Sequence, residues 1–135
     1  MAHHFLLPIS CATIGIILEE AHGARVAYLP ALSDVSPSLK ELLSTCSAIL
    51  VDGTFWSDDE LIRVQGNGST ARDMGHMPVS GADGSLRRLA ALRRPRKVFV
   101  HLNNTNPMLD ESGPEYREVR AAGWEIAEDG WSLEL

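Results

Sequence analysis

Short apolar runs alternate along the chain with stretches of helical period. Residues 11–18 (CATIGIIL) are dense in Ile and Thr and predict a strand. The polar EEAHG reads as a turn, and residues 24–29 (ARVAYL) as the hairpin partner, stopped by Pro30. Ser36-Pro37 opens a helix, with Ser36 as N-cap and Pro37 at the first helical position; Leu39, Leu42 and Leu43 then share one face. Residues 48–51 (AILV) are apolar without alternation, as a strand buried on both faces requires. Ser57 caps a short helix over DDELIRV, and Glu60 completes a capping box.

Residues 65–83, rich in Gly, Asn, Ser and Thr, read mostly as loop. Gly84-Ser85 precedes a helix over SLRRLAAL that turns Leu86, Leu89, Ala90 and Leu92 inward and ends at Pro95. Residues 98–102 (VFVHL) predict another buried strand, residues 103–110 (NNTNPMLD) an irregular loop, and residues 114–122 a helix closed by Gly123. Residues 124–127 and 131–135 predict a closing hairpin around Asp129-Gly130. This order predicts an α/β fold built in layers, a mixed sheet with flanking helices.

Composition narrows the function. A chain of 135 residues is one domain by length. With 44% hydrophobic and 22% charged residues it is globular rather than disordered. A formal charge of −6 argues against non-specific nucleic-acid binding. Cys11 and Cys46 make neither a cysteine-only zinc site nor a disulfide scaffold, and a reducing cytoplasm is the expected compartment. No run of about 18 apolar residues exists to span a membrane. The start, MAHHFLLPIS, lacks the basic residues of a secretory signal.

Charge is unevenly spread. Residues 1–80 carry four basic and nine acidic groups, residues 81–109 six and one, and residues 110–135 two and eight. The basic block, from Arg87 to Lys97, is either a solvated helix end with its loop or a docking surface for an acidic partner such as a carboxylate-rich peptide.

Candidate chemistry sits where apolar strands end, since ligands of open α/β sheets gather at strand carboxyl ends. AILV runs into Asp52-Gly53-Thr54, and VFV runs into His101. An ionisable group there needs a partner or a metal, because burying it alone costs several kcal/mol. Taken singly, Asp52 reads as a carboxylate capping the next turn, His101 as a core-edge histidine, and His76 (MGHMPVSG) as a loop histidine. Taken together, an Asp–His pair orients an imidazole and favours its charged form, which suits proton transfer. No HxHxDH, HExxH, CxxC, GxGxxG, Walker loop or GxSxG occurs, and one His does not make a metal site.

Asp52-Gly53-Thr54-Phe55-Trp56, then DDELIR, MGHMPVSG, VHLNNTNP and Leu109-Asp110-Glu111, resemble the C-terminal half of the coenzyme PQQ synthesis protein B family. The resemblance runs over residues 13–135; residues 1–12 depart from it. It implies the C-terminal half of a metallo-β-lactamase-like αββα sandwich and a part in making pyrroloquinoline quinone (PQQ) from a Glu- and Tyr-bearing peptide. The family's activity is drawn either as transport of the quinone or its precursor, or as metal-dependent hydroxylation of the Tyr-derived ring. By the same resemblance His101 matches the last metal-binding His. Asp52 and His76 match the acid–His pair of the related tRNA 3′-processing nucleases.

The departures shape the expectation. The segment Tyr28-Leu29-Pro30-Ala31-Leu32 lacks the carboxylate that bridges two metals in much of the wider fold, which favours one metal. The family's N-terminal half, with the Asp-His of its metal site and its zinc-binding cysteines, is not matched. Three readings stay open. The first is a piece of a PQQ-synthesis metalloenzyme using iron or zinc, inactive and metal-free until an N-terminal half is supplied. The second is a truncated, non-catalytic remnant that covers its sheet by self-association. The third is a carrier for PQQ or its precursor, with Asn103, Asn104, Thr105 and Asn106 giving hydrogen bonds and Arg93 and Arg94 giving charge. Neither nucleic acid nor membrane is an expected partner.

Overall fold

The computed structural model describes residues 2–7, as backbone, and residues 13–134. Cys11, Ala12 and Leu135, which the pattern assigns to strands, lie outside the described residues. Six strands form one sheet in sequence order: β1 (Ala2–Leu7), β2 (Thr13–Glu19), β3 (Arg25–Leu29), β4 (Ala48–Asp52), β5 (Arg96–Val100) and β6 (Trp124–Ile126). The first two pairings are antiparallel and the last three parallel, giving the mixed sheet. The expected hairpin is β2–β3, and β1 is an edge strand that the apolar pattern does not reveal.

Helices fill the parallel connections: α1 (Pro37–Ser44), α2 (Glu60–Gln65), α3 (Ser85–Arg88) and α4 (Pro114–Ala121). Ser36 caps α1 as expected, its hydroxyl accepting from Leu39 N–H. Parallel crossovers are right-handed in nearly all proteins. The three here step the same way across the sheet, so their helices fall on one face. Burial agrees. Ile17, Ala27, Leu29, Ile49, Val51 and Phe99 of the sheet join Leu39, Leu43, Leu89, Met108 and Val119 in one core. The alternate residues of β2 point the other way, and Ile14 and Leu18 there are 53% and 50% exposed. One sheet with one helical layer is half of an αββα sandwich.

Four local expectations are corrected. The SLRRLAAL helix stops at Arg88, and three-residue turns follow (Ala90 N to Arg87 O, Leu92 N to Leu89 O). Those turns bury Leu89 and Leu92 but leave Ala90 exposed. The capping box does not form, because Glu60 turns inward and the α2 N-cap is Asp59. The strand VFVHL begins and ends two residues earlier, at Arg96 and Val100, so His101 sits beyond it. The closing hairpin is absent among the described residues. The turn at residues 128–130 forms, with Trp131 N donating to Glu128 O, but β6 pairs in parallel with β5. That pairing stacks Trp124 on Phe99 at 4.2 Å, while Trp131 packs under the Arg96 guanidinium.

Candidate functional site

Because β3, β4 and β5 are parallel, their carboxyl ends emerge together. Asp52 ends β4 and pairs in register with Val100, the last residue of β5. Gly53 N donates to Val100 O, and a Cβ on Gly53 would lie 3.0 Å from the Cβ of Phe99. Glycine therefore lets the loop after β4 lie flat on the loop after β5. Asn103 N donates to Thr54 O, and Asn106 Nδ2 donates to Gly53 O, so the two loops are stitched twice more.

Asp52 is the hub. Its side chain is 1% exposed, and both oxygens are saturated. Oδ2 accepts from Leu32 N–H at 2.9 Å and from His76 Nδ1 at 2.7 Å. Oδ1 accepts from Thr54 N–H at 3.0 Å and from the Thr54 hydroxyl at 2.6 Å. A buried carboxylate is tolerated only with this many donors. Leu32 binds on both sides, its N–H to Asp52 and its carbonyl to Met77 N–H, which draws the His76 loop onto the hub.

Gly75 (φ 84°) turns the chain so that His76 enters the site. Phe55 meets the His76 ring edge-on at 5.8 Å. The hydrogen bond to Asp52 raises the His76 pKa above the ordinary histidine value; burial opposes this, and the charge of Asp52 adds to it. His101 stacks near His76, with ring centroids 6.2 Å apart and planes 20° apart. Its backbone has φ 59°, a left-handed conformation unusual for a residue other than glycine. Its Nδ1 lies 3.0 Å from the Thr54 hydroxyl oxygen. Two imidazoles thus share one carboxylate, His76 directly and His101 through Thr54.

The sequence candidates separate into three groups. Asp52, His76 and His101 converge as a unit. Asn103, Thr105 and Asn106 follow His101 but spend polar groups within their own loop, on α2 and on the loop after β4. Asn103 Nδ2 donates to the Thr105 hydroxyl, which donates to Glu60 Oε1, and Asn106 Oδ1 accepts from Met108 N–H. Asn104 is exposed. Arg93 and Arg94 precede β5 and so lie at the opposite end of the sheet, a strand length of roughly 16 Å away. A cleft of about 790 Å³ opens beside His101, walled by Leu102, Met108, Tyr116 and Ile126, with Glu111, Glu128 and Asp129 adding negative charge.

Sequence reasoning missed two side chains. Thr54 lies two residues after Asp52, the spacing of an Asx turn, and that signal was available. Glu60 is 4% exposed, with Oε2 accepting from Trp56 N–H and Oε1 from Thr105; its capping-box spacing concealed this. Among the described residues no group of three or more His, Cys, Asp or Glu side chains is arranged to hold a metal ion. Among the described residues no helix is long and apolar enough to cross a membrane.

Comparison with known proteins shows relatives in both sequence and fold. The chain is 46% identical over 123 residues to coenzyme PQQ synthesis protein B of Methylobacterium radiotolerans, covering 91% of this chain and 41% of the relative. It is 42% identical to the protein of the same name from Methylococcus capsulatus, covering 90% of this chain and 40% of that one. The crystal structure of zinc-bound PqqB from Methylobacterium extorquens superposes with a TM-score of 0.89 at 39% identity, over 99% of this chain and 47% of that one. The chain thus spans about two fifths of the length of these curated relatives. Residues 2–102 match the model of the beta-lactamase superfamily domain, and the chain belongs to that superfamily.

Proposed function

We propose that this chain serves PQQ biosynthesis, in the cytoplasm, as the part of a metal-dependent enzyme that supplies a proton-transfer pair and one metal ligand. What carries the reading is the convergence of Asp52, His76 and His101 in a chain 46% identical to a PQQ synthesis protein. Asp52 holds Nδ1 of His76, so Nε2 is the atom that takes or gives a proton. The raised pKa makes His76 hold its proton more readily than an ordinary histidine. His101 would offer its other ring nitrogen to iron or zinc. The metal would supply oxygen chemistry for hydroxylating the Tyr-derived ring of the precursor. On this reading the other donors of a three-ligand site come from an N-terminal segment, and the chain is inactive without it.

Metal analysis tests this. The purified chain should retain well under one equivalent of zinc or iron. Co-expression with the unmatched remainder of the Methylobacterium radiotolerans relative should raise this to one equivalent, and His101→Ala should abolish the gain. It should also restore PQQ formation to cells lacking that relative. Stoichiometric, His101-dependent metal in the chain alone would overturn the dependence on a second segment. A carrier role is less well supported, because Arg93 and Arg94 stand too far from Asn103 and Asn104 for one quinone to touch both sets. Calorimetry with PQQ that gives binding weakened by an Arg93→Ala/Arg94→Ala double substitution would revive it.

A further inference from the structure

We propose that Thr54 is a positioning residue that fixes the tautomer of His101. The argument is a count of protons. The Thr54 oxygen has three polar neighbours: Asp52 Oδ1 at 2.6 Å, the His101 carbonyl at 2.9 Å and His101 Nδ1 at 3.0 Å. A hydroxyl carries one proton and two lone pairs. The two oxygen neighbours can only accept, and the carboxylate contact is the shorter, as a charge-assisted bond is. If the proton went to Nδ1 instead, the hydroxyl oxygen and Asp52 Oδ1 would face each other at 2.6 Å with no hydrogen between them. The proton therefore points at Asp52, a lone pair faces the imidazole, and Nδ1 of His101 must carry the hydrogen.

The consequence is local and directional. Neutral His101 is held as the Nδ1–H form, which leaves Nε2 as its basic nitrogen. Free histidine prefers the opposite form, so the site imposes the tautomer. The same contact gives the ring of this exposed residue, whose backbone has φ 59°, a hydrogen-bond partner in the site. The chain Asp52–Thr54–His101 parallels the direct Asp52–His76 bond, and one carboxylate sets both rings.

Nitrogen-resolved NMR of the full chain labelled with 15N-histidine tests this without metal or activity. At pH about 8.5, above the ordinary histidine pKa of about 6.5, His101 should show a pyrrole-type Nδ1 and a pyridine-type Nε2, assigned by loss of the signals in His101→Asn. Thr54→Ser should keep that pattern, and Thr54→Val should lose it to a mixture or to the Nε2–H form. A purely structural role for Thr54 would lower the melting temperature of the valine variant and leave the tautomer unchanged. An Nε2–H form in the wild-type chain, readable even if Thr54→Val fails to fold, would overturn the proposal. Neither result depends on where the remaining metal ligands come from.

Discussion

At the scale of single residues, the site is held by one saturated carboxylate. Removing its charge should be expensive although the change is nearly isosteric. Asp52→Asn turns an acceptor into a group that must also donate, facing Leu32 N–H, Thr54 and His76. Breaking such a buried pair costs about 3 kcal/mol, which denaturant unfolding would measure. The His76–Asp52 pair also sets a pH dependence. His76 has a raised pKa in the folded chain, so it binds protons more tightly than in the unfolded chain. Its contribution is fully present below the unfolded value of about 6.5 and fades as pH rises through the raised folded value. The melting-temperature advantage of wild type over His76→Gln should therefore shrink on moving from pH about 6 upward. A constant difference would show that the pair does not titrate in that window. His101 gives a backbone test. At φ 59° a residue with a Cβ is strained, so His101→Gly should be about 1 kcal/mol more stable than His101→Ala, the reverse of the ordinary order. Both variants lose the imidazole, so the comparison isolates the backbone.

At the scale of elements, what the sequence showed and what it hid divide along physical lines. Strands β3 and β4 and helices α1 and α4 carry local signals: an apolar run, a Ser-Pro start, a Gly stop. Asp52, His76 and His101 were legible as candidates because each interrupts an apolar run or follows a glycine. Long-range choices were not legible. Trp124 obeys a parallel pairing with β5, set by burial against Phe99, over a hairpin suggested by Asp129-Gly130. Glu60 has the spacing of a capping residue, yet the loop after β5 needs an acceptor for Thr105, and the carboxylate went there. This distinction is measurable. Were Ser57 and Glu60 a capping box, Ser57→Ala would cost about 1 kcal/mol. In the observed arrangement the Ser57 hydroxyl bonds to the exposed Asp59 and Arg63 side chains, so its loss should stay within about 0.5 kcal/mol. Glu60→Ala orphans Trp56 N–H and releases Thr105, and should cost about 2 kcal/mol in the same unfolding experiment.

At the scale of the whole molecule, the sheet has one finished face and one unfinished. Three crossovers stepping the same way put every helix on the side of Ile17, Ile49 and Phe99. The other side presents Ile14 and Leu18, each about half exposed, with Ile16 between them on the same strand. Side chains of this kind on adjacent positions of one sheet face form a continuous apolar patch, and such patches mark association surfaces. The edge beside them is already occupied by β1, so backbone pairing is not what this surface offers; face-to-face packing is. A second copy of the chain or an N-terminal segment would bury the same residues. The chain alone should therefore self-associate reversibly, with a sedimentation coefficient that rises with concentration. Leu18→Lys places a charge on that patch while leaving the helix-covered core untouched, so it should shift the chain to monomer without lowering its unfolding midpoint. Wild-type protein that stays monomeric at high concentration would mean that residues 14–18 are covered in solution by the chain itself.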